Sequence, residues 1–515
     1  MNPFFEIQPN SGVTFRDIEP LPKELPNDNP DITTRGIFYP SPTHDGAMAR
    51  IRVPAGRLNS QQLRDIAQIS DDLTTGYIQI TTRANLQIRE IQPEDTDELL
   101  TRLRKTGLHP PGPGADNPRN LTANPTSGID PHELIDTSPW CIELEKTLTS
   151  DPLYNNIPGK FNLAIDSGGQ ASVMEDSNDL AAHAVETFDE TLQKVIRFRI
   201  SIGGNSLDKD LGIFVAPKYL FRVLLAAIRM HNRLRDKSNR LRARAKYLWE
   251  SHGKEELLDE LLKELPKNVQ VEKTNIEPSV HFSGNDLPEH PQAGVFEQRQ
   301  AGLHYIGVAV PVGSITSRQL KTIARLSDEF GSGHIRLTVC QNLILPDIPT
   351  HFLEEVKQQL VEVGLHWQQS NLRSGIIACT GNQHCPYAKA DTKAHALELV
   401  DYLDKRLTSD LPINIHFTGC AFSCAQHYVG DIGLLASKPT EDHTPTYHIF
   451  VGGGFGRKRS LGRKVSERPV PFPKLKPIIY HLLQNWLDHR IQGETFQDFS
   501  NRTEPSHSTD IPFKT

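Results

Sequence analysis

The spacing of apolar residues near the start of the chain predicts alternating strands and helices. Residues 50–54 are typical of a strand, and 60–72 of an amphipathic helix with Ser60 as its N-cap. The alternating run 77–89 predicts one strand that bends near Ala84, and a second amphipathic helix follows. This order indicates a mixed α/β or α+β unit. The apolar residues expected on the buried face of the first helix are Leu63, Ile66, Ala67 and Ile69.

The middle of the chain predicts two more strands and a long helical region. Residues 160–165 and 196–204 alternate as strands do, whereas 217–265 has helical spacing. Within this helical region, 229–246 contains six Arg and two Lys, and an acidic run follows at 255–264. A charge run of this kind is typical of a solvated helix face.

The chain also contains an internal repeat. When the sequence is shifted by 257 residues, 53–91 aligns without gaps on 310–348, and sixteen of 39 positions are identical. The period is far too long for a solenoid, so we interpret the repeat as one duplicated, domain-sized unit. The copies differ in charge, because Arg50 aligns with Gly307 and Arg83 with Cys340.

Composition restricts the class of protein. With 515 residues the chain is too long for one core, so two or three domains are expected. It has no run of eighteen apolar residues, and its start lacks the basic and apolar regions of a secretory signal. We therefore expect a soluble cytoplasmic protein with reduced thiols and no membrane partner. The net charge of −7 argues against nonspecific nucleic-acid binding.

Four of the six cysteines lie in two short segments. The first reads Cys379-Thr-Gly-Asn-Gln-His-Cys385 and the second Cys420-Ala-Phe-Ser-Cys424, with a helix-like spacer between them. Four thiolates from two segments suit an iron–sulfur cluster or a zinc ion. Zinc sites usually contain a tighter C-x2-C pair, disulfides need an oxidising compartment, and unligated core thiols are a further alternative. The other two cysteines, which we interpret as core thiols, are Cys141 and Cys340.

The two segments resemble those of the sirohaem-dependent nitrite and sulfite reductases. The resemblance lies in 378–385, 416–424 and 431–435, and it extends over 36–473. It implies a cysteine-bound [4Fe–4S] cluster, with Cys424 also ligating the iron of a sirohaem. It further implies a three-domain α+β fold whose duplicated halves are related by a pseudo-twofold axis, with the cofactors at the interface. The implied cluster ligands are Cys379, Cys385, Cys420 and Cys424.

The resemblance and the repeat together divide the chain into seven segments. We expect an extended N-terminal arm, a first ferredoxin-like half and a first sirohaem-binding α/β domain that contains the basic helical segment. A linker, a second ferredoxin-like half, a second domain for sirohaem and cluster, and a polar, frayed tail follow. These segments are 1–36, 37–110, 111–265, 266–302, 303–370, 371–494 and 495–515.

Four further residues match the family's anion pocket. Arg50 lies within Met-Ala-Arg-Ile-Arg and Arg119 within Asn-Pro-Arg-Asn, while Pro-Gly-Lys-Phe-Asn supplies Lys160 and Asn162. A cationic pocket suits a small oxyanion, because arginine can donate two hydrogen bonds to it. The Lys-x-Asn pair resembles nitrite reductases, whereas sulfite reductases carry Lys-x-Lys for a doubly charged anion. The resemblance therefore favours nitrite.

Sirohaem carries many carboxylates, so its site is expected to be rich in cations and backbone N–H groups. Arg83, Gln87 and Arg89 alternate along the predicted strand and share a face, and they match the family's sirohaem-holding strand. Arg457 ends a glycine-rich loop that resembles the family's carboxylate-binding loop. Phe422 is a departure, because the family usually has Asn there; a polar contact near the sirohaem is then missing or moved.

The resemblance implies a ferredoxin–nitrite reductase, which reduces nitrite to ammonium with six electrons. No Gly-x-Gly-x-x-Gly unit for NAD or FAD is evident, so we expect a ferredoxin or flavodoxin-type electron donor. The basic stretch 229–246 is alternatively a docking surface for this acidic partner. The alternative reaction is sulfite reduction in the same architecture. A corrin-biosynthetic oxygenase with the same cofactors and a zinc-stabilised binding protein also remain open.

Overall fold

A computed structural model describes most of the chain. The predicted N-terminal arm lies outside the described residues, as do Lys160 and Arg457. None of the helices in the described part has the length and apolar character that a membrane span requires. The described residues are 37–38, 46–108, 119–154, 156–159, 161–174, 177–188, 191–204, 209–237, 242–273, 292–368, 372–455 and 459–503.

The strands in these ranges are short and belong to four sheets. In chain order they are β1 Ile37–Phe38, β2 Ala47–Ile51, β3 Arg57–Asn59, β4 Tyr77–Ile80, β5 Leu86–Ile91, β6 Leu121–Ala123, β7 Leu163–Asp166, β8 Leu180–Phe188, β9 Lys194–Ile202, β10 Asp210–Val215, β11 Val271–Lys273, β12 Gly294–Glu297, β13 Leu303–Val308, β14 Ser314–Thr316, β15 His334–Leu337, β16 Leu343–Pro349, β17 Ile376–Ala378, β18 Ile415–Thr418, β19 Ile432–Ser437, β20 Thr446–Val451, β21 Arg463–Lys464 and β22 Val470–Pro471.

The helices cover the sheets and the loops between them. In chain order they are α1 Ser60–Leu73, α2 Thr96–Lys105, α3 Ser138–Ser150, α4 Leu220–Leu234, α5 Ala245–Glu264, α6 Ser317–Phe330, α7 Leu353–Glu362, α8 Thr392–Asp404, α9 Phe472–His489 and α10 Phe496–Arg502. The buried face predicted for α1 is confirmed for Leu63, Ile66, Ala67 and Ile69.

Two five-stranded sheets correspond to the two copies of the repeat. Their strand orders are β1-β2-β5-β4-β14 and β12-β13-β16-β15-β3. Strand β3 of the first copy pairs with β15 of the second, and β14 of the second pairs with β4 of the first. Each copy thus completes the sheet of the other, and their apolar residues form one core. The duplicated unit is therefore an interlocked pair.

Side-chain hydrogen bonds across this pair repeat with the offset of the sequence repeat. The hydroxyl of Ser60 donates to Asp328 at 2.5 Å, and the hydroxyl of Ser317, 257 residues later, donates to Asp71. Lys321 also donates to the carboxylate of Asp71, at 2.7 Å. The two copies are therefore joined by matching polar contacts as well as by the exchanged strands.

The first long helix of each copy begins with a capping box. Asn59 accepts the N–H of Gln62 at 2.8 Å, and the side chain of Gln62 accepts the N–H of Asn59 at 3.0 Å. Thr316 and Gln319 make the equivalent pair at the start of α6. The prediction of Ser60 as N-cap is therefore wrong by one residue, because Asn59 supplies the capping oxygen and Ser60 bonds to the other copy.

The alternating run 77–89 forms a hairpin, so the prediction of one bent strand is wrong. Strands β4 and β5 pair antiparallel across a turn in which Ala84 has a φ of 51°. Arg83 lies in this turn and does not share a strand face with Gln87 and Arg89. The alternating pattern conceals the turn because Ala84 replaces the glycine that usually adopts such a conformation.

The other two sheets contain parallel strands. In the third sheet, with order β11-β10-β9-β8-β7-β6, strands β6 to β8 run parallel. In the fourth, with order β17-β18-β19-β20-β21 and β22 also paired to β20, strands β17 to β19 run parallel. Each sheet has a core of its own. The carboxyl ends of parallel strands lie at one edge of a sheet, so the loops after β17 and β18 are neighbours.

The predicted linker and the predicted frayed tail both contain regular structure. Within the predicted linker 266–302, β12 pairs with β13 and forms the edge of the second copy's sheet. Within the predicted frayed tail, α10 buries Phe496 and Phe499, and the ring of Phe496 lies 6.0 Å from that of Trp486. The prediction of a frayed tail is therefore wrong for Phe496–Arg502, because two apolar residues three positions apart share one helix face.

We expect Asn59→Ala to lower the free energy of unfolding by about 1 kcal/mol, because it removes the capping oxygen of α1. Urea unfolding followed by circular dichroism measures the change. Gln61→Ala, an exposed substitution in the same turn, is the control. Equal unfolding midpoints for the two variants would contradict a stabilising cap.

Candidate active site

The two cysteine segments meet at the carboxyl edge of the fourth sheet. Cys379 directly follows β17, and Cys420 lies two residues after β18, its parallel neighbour. The backbone N–H of Gly419 donates to the sulfur of Cys379 at 3.1 Å, and the N–H of Cys379 donates to the carbonyl of Phe417 at 3.0 Å. The parallel strands thus place residues from one cysteine segment directly against the other.

The other three thiolates of these segments all act electrostatically on Cys420. Burial and then the thiolate of Cys424 raise the pKa of Cys420, and those of Cys379 and Cys385 act in the same direction. Cys424 is the exposed member of the set. In the described residues no three His, Cys, Asp or Glu side chains lie close enough to share one metal ion. A cubane cluster does not require this, since each iron takes one thiolate.

Backbone N–H groups point at the cysteine sulfurs. The sulfur of Cys385 accepts from the N–H of Tyr387, and that of Cys420 from the N–H of Phe422, while the N–H of Ala388 donates to the carbonyl of Cys385 at 3.1 Å. Hydrogen bonds to thiolate sulfurs stabilise the negative charge of an iron–sulfur cluster and tune its reduction potential. The backbone of both segments therefore suits cluster ligation.

An aromatic contact joins the two segments. The rings of Tyr387 and Phe422 lie 5.3 Å apart in an edge-to-face arrangement. Such pairs contribute about 0.5–1.5 kcal/mol beyond the area they bury. Phe422, the departure from the family pattern, therefore ties the second cysteine segment to the first.

A buried histidine fixes the loop that carries Cys424. Nδ1 of His416 lies 2.7 Å from the carbonyl of Ala425, so Nδ1 carries the hydrogen and donates it. Ser423 has a φ of 51°, and its hydroxyl bonds to Nδ1 of His427 at 2.8 Å. Burial lowers the pKa of His416 to about 4, so its ring is neutral at physiological pH. Hydrogen bonds to the imidazole rings of His416 and His427 thus hold the loop that carries Cys424 in place.

The start of α8 lies beside Cys379. The hydroxyl of Thr392 donates to the carbonyl of Cys379 at 2.8 Å and lies 3.5 Å from its sulfur. The next residue, Lys393, has a buried Nζ atom. Burial lowers the pKa of Lys393 to about 7, the thiolate of Cys379 opposes this shift, and the guanidinium of Arg89 adds to it. Sequence analysis did not single out Lys393.

The turn of the first hairpin approaches Cys424. The hydroxyl of Thr82 donates to the carbonyl of Cys424 at 2.9 Å. The adjacent Arg83 donates to the hydroxyl of Ser177 at 2.8 Å and to the side chain of Asn178 at 2.9 Å. Burial lowers the pKa of Arg83 to about 10, and it still carries its charge at neutral pH. Arg83 therefore lies near the loop that carries Cys424, although not on the predicted strand, and its contact with sirohaem stays a prediction.

Two cations from the basic stretch 229–246 join Arg83. Arg244 donates to the buried carboxylate of Asp179 at 2.6 Å, and its charge acts on Arg83. Burial lowers the pKa of Lys246 to about 8. The prediction of a solvated face for this stretch is thus wrong at its end. The buried Ala243 and Ala245, which alternate with these cations, were the available signal.

Arg50, Gln87 and Arg89 lie on one face of the first sheet. Arg50 on β2 is the register partner of Gln87 on β5, and Gln87 and Arg89 are two residues apart on the same strand. Arg89 is buried and donates to the sulfur of Met48 at 3.1 Å and to the carbonyl of His384 at 3.4 Å. Arg89 therefore connects this face to the first cysteine segment.

A chain of buried amides leads to Asn162. The backbone N–H of Val53 donates to Asn85 at 2.7 Å, and Asn85 donates to Asn120 at 3.2 Å. Asn120 in turn donates to the side-chain oxygen of Asn162. Because that oxygen is occupied, the NH2 group of Asn162 is the part of the amide left to donate to a ligand. Sequence analysis did not single out Asn85 and Asn120 as ligand-orienting residues.

Arg119 is buried, and part of its guanidinium is used inside the protein. It donates to the carbonyl of Leu108 at 2.5 Å and lies 3.5 Å from the carboxylate of Glu145. Arg52, which sequence analysis overlooked, is almost fully buried and donates to the carbonyl of Gly159 at 3.1 Å. Arg52 thereby holds the segment that leads to Lys160. Contact of Arg119 with substrate stays a prediction.

The remaining two cysteines are packed in apolar clusters. Cys141 lies in the core of the third sheet and Cys340 in a cluster that includes Ile377 and Phe455. Burial raises the pKa of Cys141 to about 12. Their interpretation as core thiols is confirmed.

Comparison with known families identifies the same two kinds of domain. The profile of the nitrite and sulphite reductase 4Fe-4S domain matches residues 114–269 and 369–501. The profile of the nitrite/sulfite reductase ferredoxin-like half domain matches residues 39–106 and 296–363. Each profile therefore matches twice.

Individual relatives match most of the chain. A ferredoxin–nitrite reductase of Synechococcus elongatus is 33% identical over 83% of this chain and 84% of its own length. A chloroplastic ferredoxin–nitrite reductase of Zea mays is 32% identical over 93% of this chain and 85% of its own. An assimilatory ferredoxin-dependent nitrite reductase of Haloferax mediterranei is 27% identical over 89% of this chain and 82% of its own.

A solved structure shares the fold. The NirA protein of Mycobacterium tuberculosis superposes with a TM-score of 0.78 at 27% identity, covering 89% of this chain and 84% of that one. The predicted α+β fold with duplicated halves is confirmed. Because both domain profiles match twice and the relatives align over most of its length, the chain belongs to the nitrite and sulphite reductase 4Fe-4S family.

Proposed function

We propose that the protein reduces nitrite to ammonium, using a [4Fe–4S] cluster coupled through Cys424 to a sirohaem, with electrons from a ferredoxin. The reaction adds six electrons and eight protons to nitrite and releases ammonium and two water molecules. The observation that carries the proposal is the convergence of the four cysteines at one sheet edge beside a cationic face. The relatives named as ferredoxin–nitrite reductases support the choice of reaction.

The residues present fit both cofactors. For the cluster, the chain offers four thiols, and the sulfurs of Cys379, Cys385 and Cys420 receive backbone hydrogen bonds. For the sirohaem, it offers the exposed thiol of Cys424 and the cations Arg83, Arg244 and Lys246 on the same side. Carboxylates of a tetrapyrrole suit such a bed. When bound, the sirohaem supplies the redox-active iron to which a small anion binds.

The proposed anion pocket combines residues of the first ferredoxin-like half and of the first sirohaem-binding domain. Arg50 supplies positive charge from the sheet face that it shares with Gln87, and Asn162 donates its N–H groups to an oxygen of the anion. Fixed donors of this kind stabilise charge as bonds to oxygen break. Lys160 is proposed to supply a further charge and a proton, and Arg119 to add positive charge from behind the pocket.

Charge favours nitrite over sulfite. Nitrite carries one negative charge, whereas sulfite at neutral pH carries up to two. A neutral amide at position 162 therefore suits nitrite, the less charged anion. Asn162 is also held as a neutral donor by the amide chain from Asn85 and Asn120. Sulfite reduction remains the second candidate, because the family includes both activities.

A ferredoxin is the proposed donor, since ferredoxin appears in the names of the relatives. A flavodoxin-type donor and a cytoplasmic location stay predictions. The basic stretch 229–246 is a poor docking surface at its start, because Arg233 pairs with Glu260 at 2.7 Å and with Glu264 at 2.9 Å. Arg229 also lies 3.5 Å from the carboxylate of Glu264. The acidic run of α5 thus neutralises these arginines.

Cys424→Ser is expected to abolish the electronic coupling between the two metal centres, because an alcohol oxygen is a much poorer bridge than a thiolate. Electron paramagnetic resonance of the oxidised and reduced protein measures the coupling. Cys141→Ala, which removes a thiol from a separate core, is the control. A coupled spectrum and full nitrite turnover in Cys424→Ser would rule out the bridge.

Asn162→Lys is expected to raise kcat/KM for sulfite relative to nitrite by roughly tenfold, which corresponds to about 1.4 kcal/mol of added anion stabilisation. Steady-state kinetics with both anions measures the ratio. Asn162→Ala separates loss of the amide from gain of the charge. An unchanged ratio in protein with an intact visible spectrum would show that position 162 does not select the anion.

A further inference from the structure

Lys393 places a buried cation beside the first cysteine segment. Its Nζ atom is buried and makes no hydrogen bond to any residue that the structure describes. The neighbouring acid, Asp391, is already engaged: one oxygen accepts the N–H of Ala394 at 3.1 Å, and the other accepts from Gln383 at 3.1 Å. Among the described side chains this ammonium group therefore has no hydrogen-bonded anionic partner, although the charge of Asp391 acts on it.

The position of Lys393 in its helix raises the free-energy cost of burying its charge without a hydrogen-bonded anion. Lys393 is the second residue of α8, where the helix dipole already contributes partial positive charge. Arg89, a second buried cation, interacts with it electrostatically. An unpaired buried charge costs several kcal/mol, and two further positive contributions add to that cost. Lys393 therefore keeps its charge at neutral pH only if an anion lies near this helix start.

Two negative groups act on Lys393, and the thiolate of Cys379 acts more strongly than the carboxylate of Asp391. Thr392, the residue before Lys393, bonds to the carbonyl of Cys379 and lies 3.5 Å from its sulfur. Lys393 interacts electrostatically with the same thiolate. Arg89 reaches the segment independently, through its hydrogen bond to the carbonyl of His384. Three sources of positive charge thus lie near the Cys379–Cys385 segment: the N-terminus of α8, the ammonium group of Lys393 and the guanidinium of Arg89.

We propose that the ammonium group of Lys393 is the counter-charge of the iron–sulfur cluster and stabilises its reduced state. Reduction adds one electron, and hence one unit of negative charge, to the cluster and its thiolates. A fixed cation beside Cys379 stabilises the product more than the reactant and so raises the midpoint potential. The inference rests on the bound cluster and not on the identity of the substrate.

The test compares Lys393→Gln, which removes the charge at similar length, with Lys393→Arg, which keeps it. Lys405→Gln, an exposed change beyond the end of the same helix, is the control. Iron and acid-labile sulfide are measured first. The cluster is then titrated potentiometrically, without nitrite, and its reduced signal is followed by electron paramagnetic resonance. We expect a more negative midpoint potential in Lys393→Gln and no shift in Lys393→Arg or Lys405→Gln.

Each other outcome of these measurements also supports or contradicts the proposal. A cluster that assembles with Lys393→Arg but not with Lys393→Gln supports the counter-charge. The proposal is overturned if Lys393→Gln is loaded and has the potential of the unsubstituted protein, or if neither variant binds the cluster. The titration contains no nitrite, so its result does not depend on the substrate. If the protein shows the expected shift in midpoint potential but does not reduce nitrite, the proposed function is overturned and this inference stands.

Discussion

The parallel pairing of β17 with β18 is the constraint on which the candidate site depends. It brings Cys379 and the Cys420 segment to one edge of the fourth sheet, although 41 positions separate the two cysteines. The sulfur of Cys379 then accepts an N–H from the other segment, and the rings of Tyr387 and Phe422 meet between them. A shift in the pairing of these two strands would separate the thiols.

The interlocked repeat contacts the loops at this edge of the fourth sheet at two points. The turn of its first hairpin contacts Cys424 through Thr82, and β5 presents Arg89 to the carbonyl of His384. The amide chain that ends at Asn162 starts in the same copy, at Val53. The second copy keeps the fold but has Cys340 where the first has Arg83, so of the two copies only the first supplies a charge at this turn.

Sequence reasoning recovered what local spacing and the self-similarity of the chain encode. The cysteine spacing, the repeat and the face of α1 are local or periodic signals, and each appears in the structure. The hairpin at Ala84 was missed because its turn lacks glycine, and the helix Phe496–Arg502 because a polar composition conceals two buried aromatics. Lys393 and the link from Asn85 to Asn120 depend on partners distant in sequence, which no local pattern reports.

The exchanged strands have a consequence for how the chain is made. Strand β4 is synthesised long before β14, its edge partner, so the first sheet leaves the ribosome with one side open. An open edge strand invites pairing with other chains, and a nascent chain of this length is exposed to that hazard until the second copy emerges. A gene split between the copies would leave both products with such an edge.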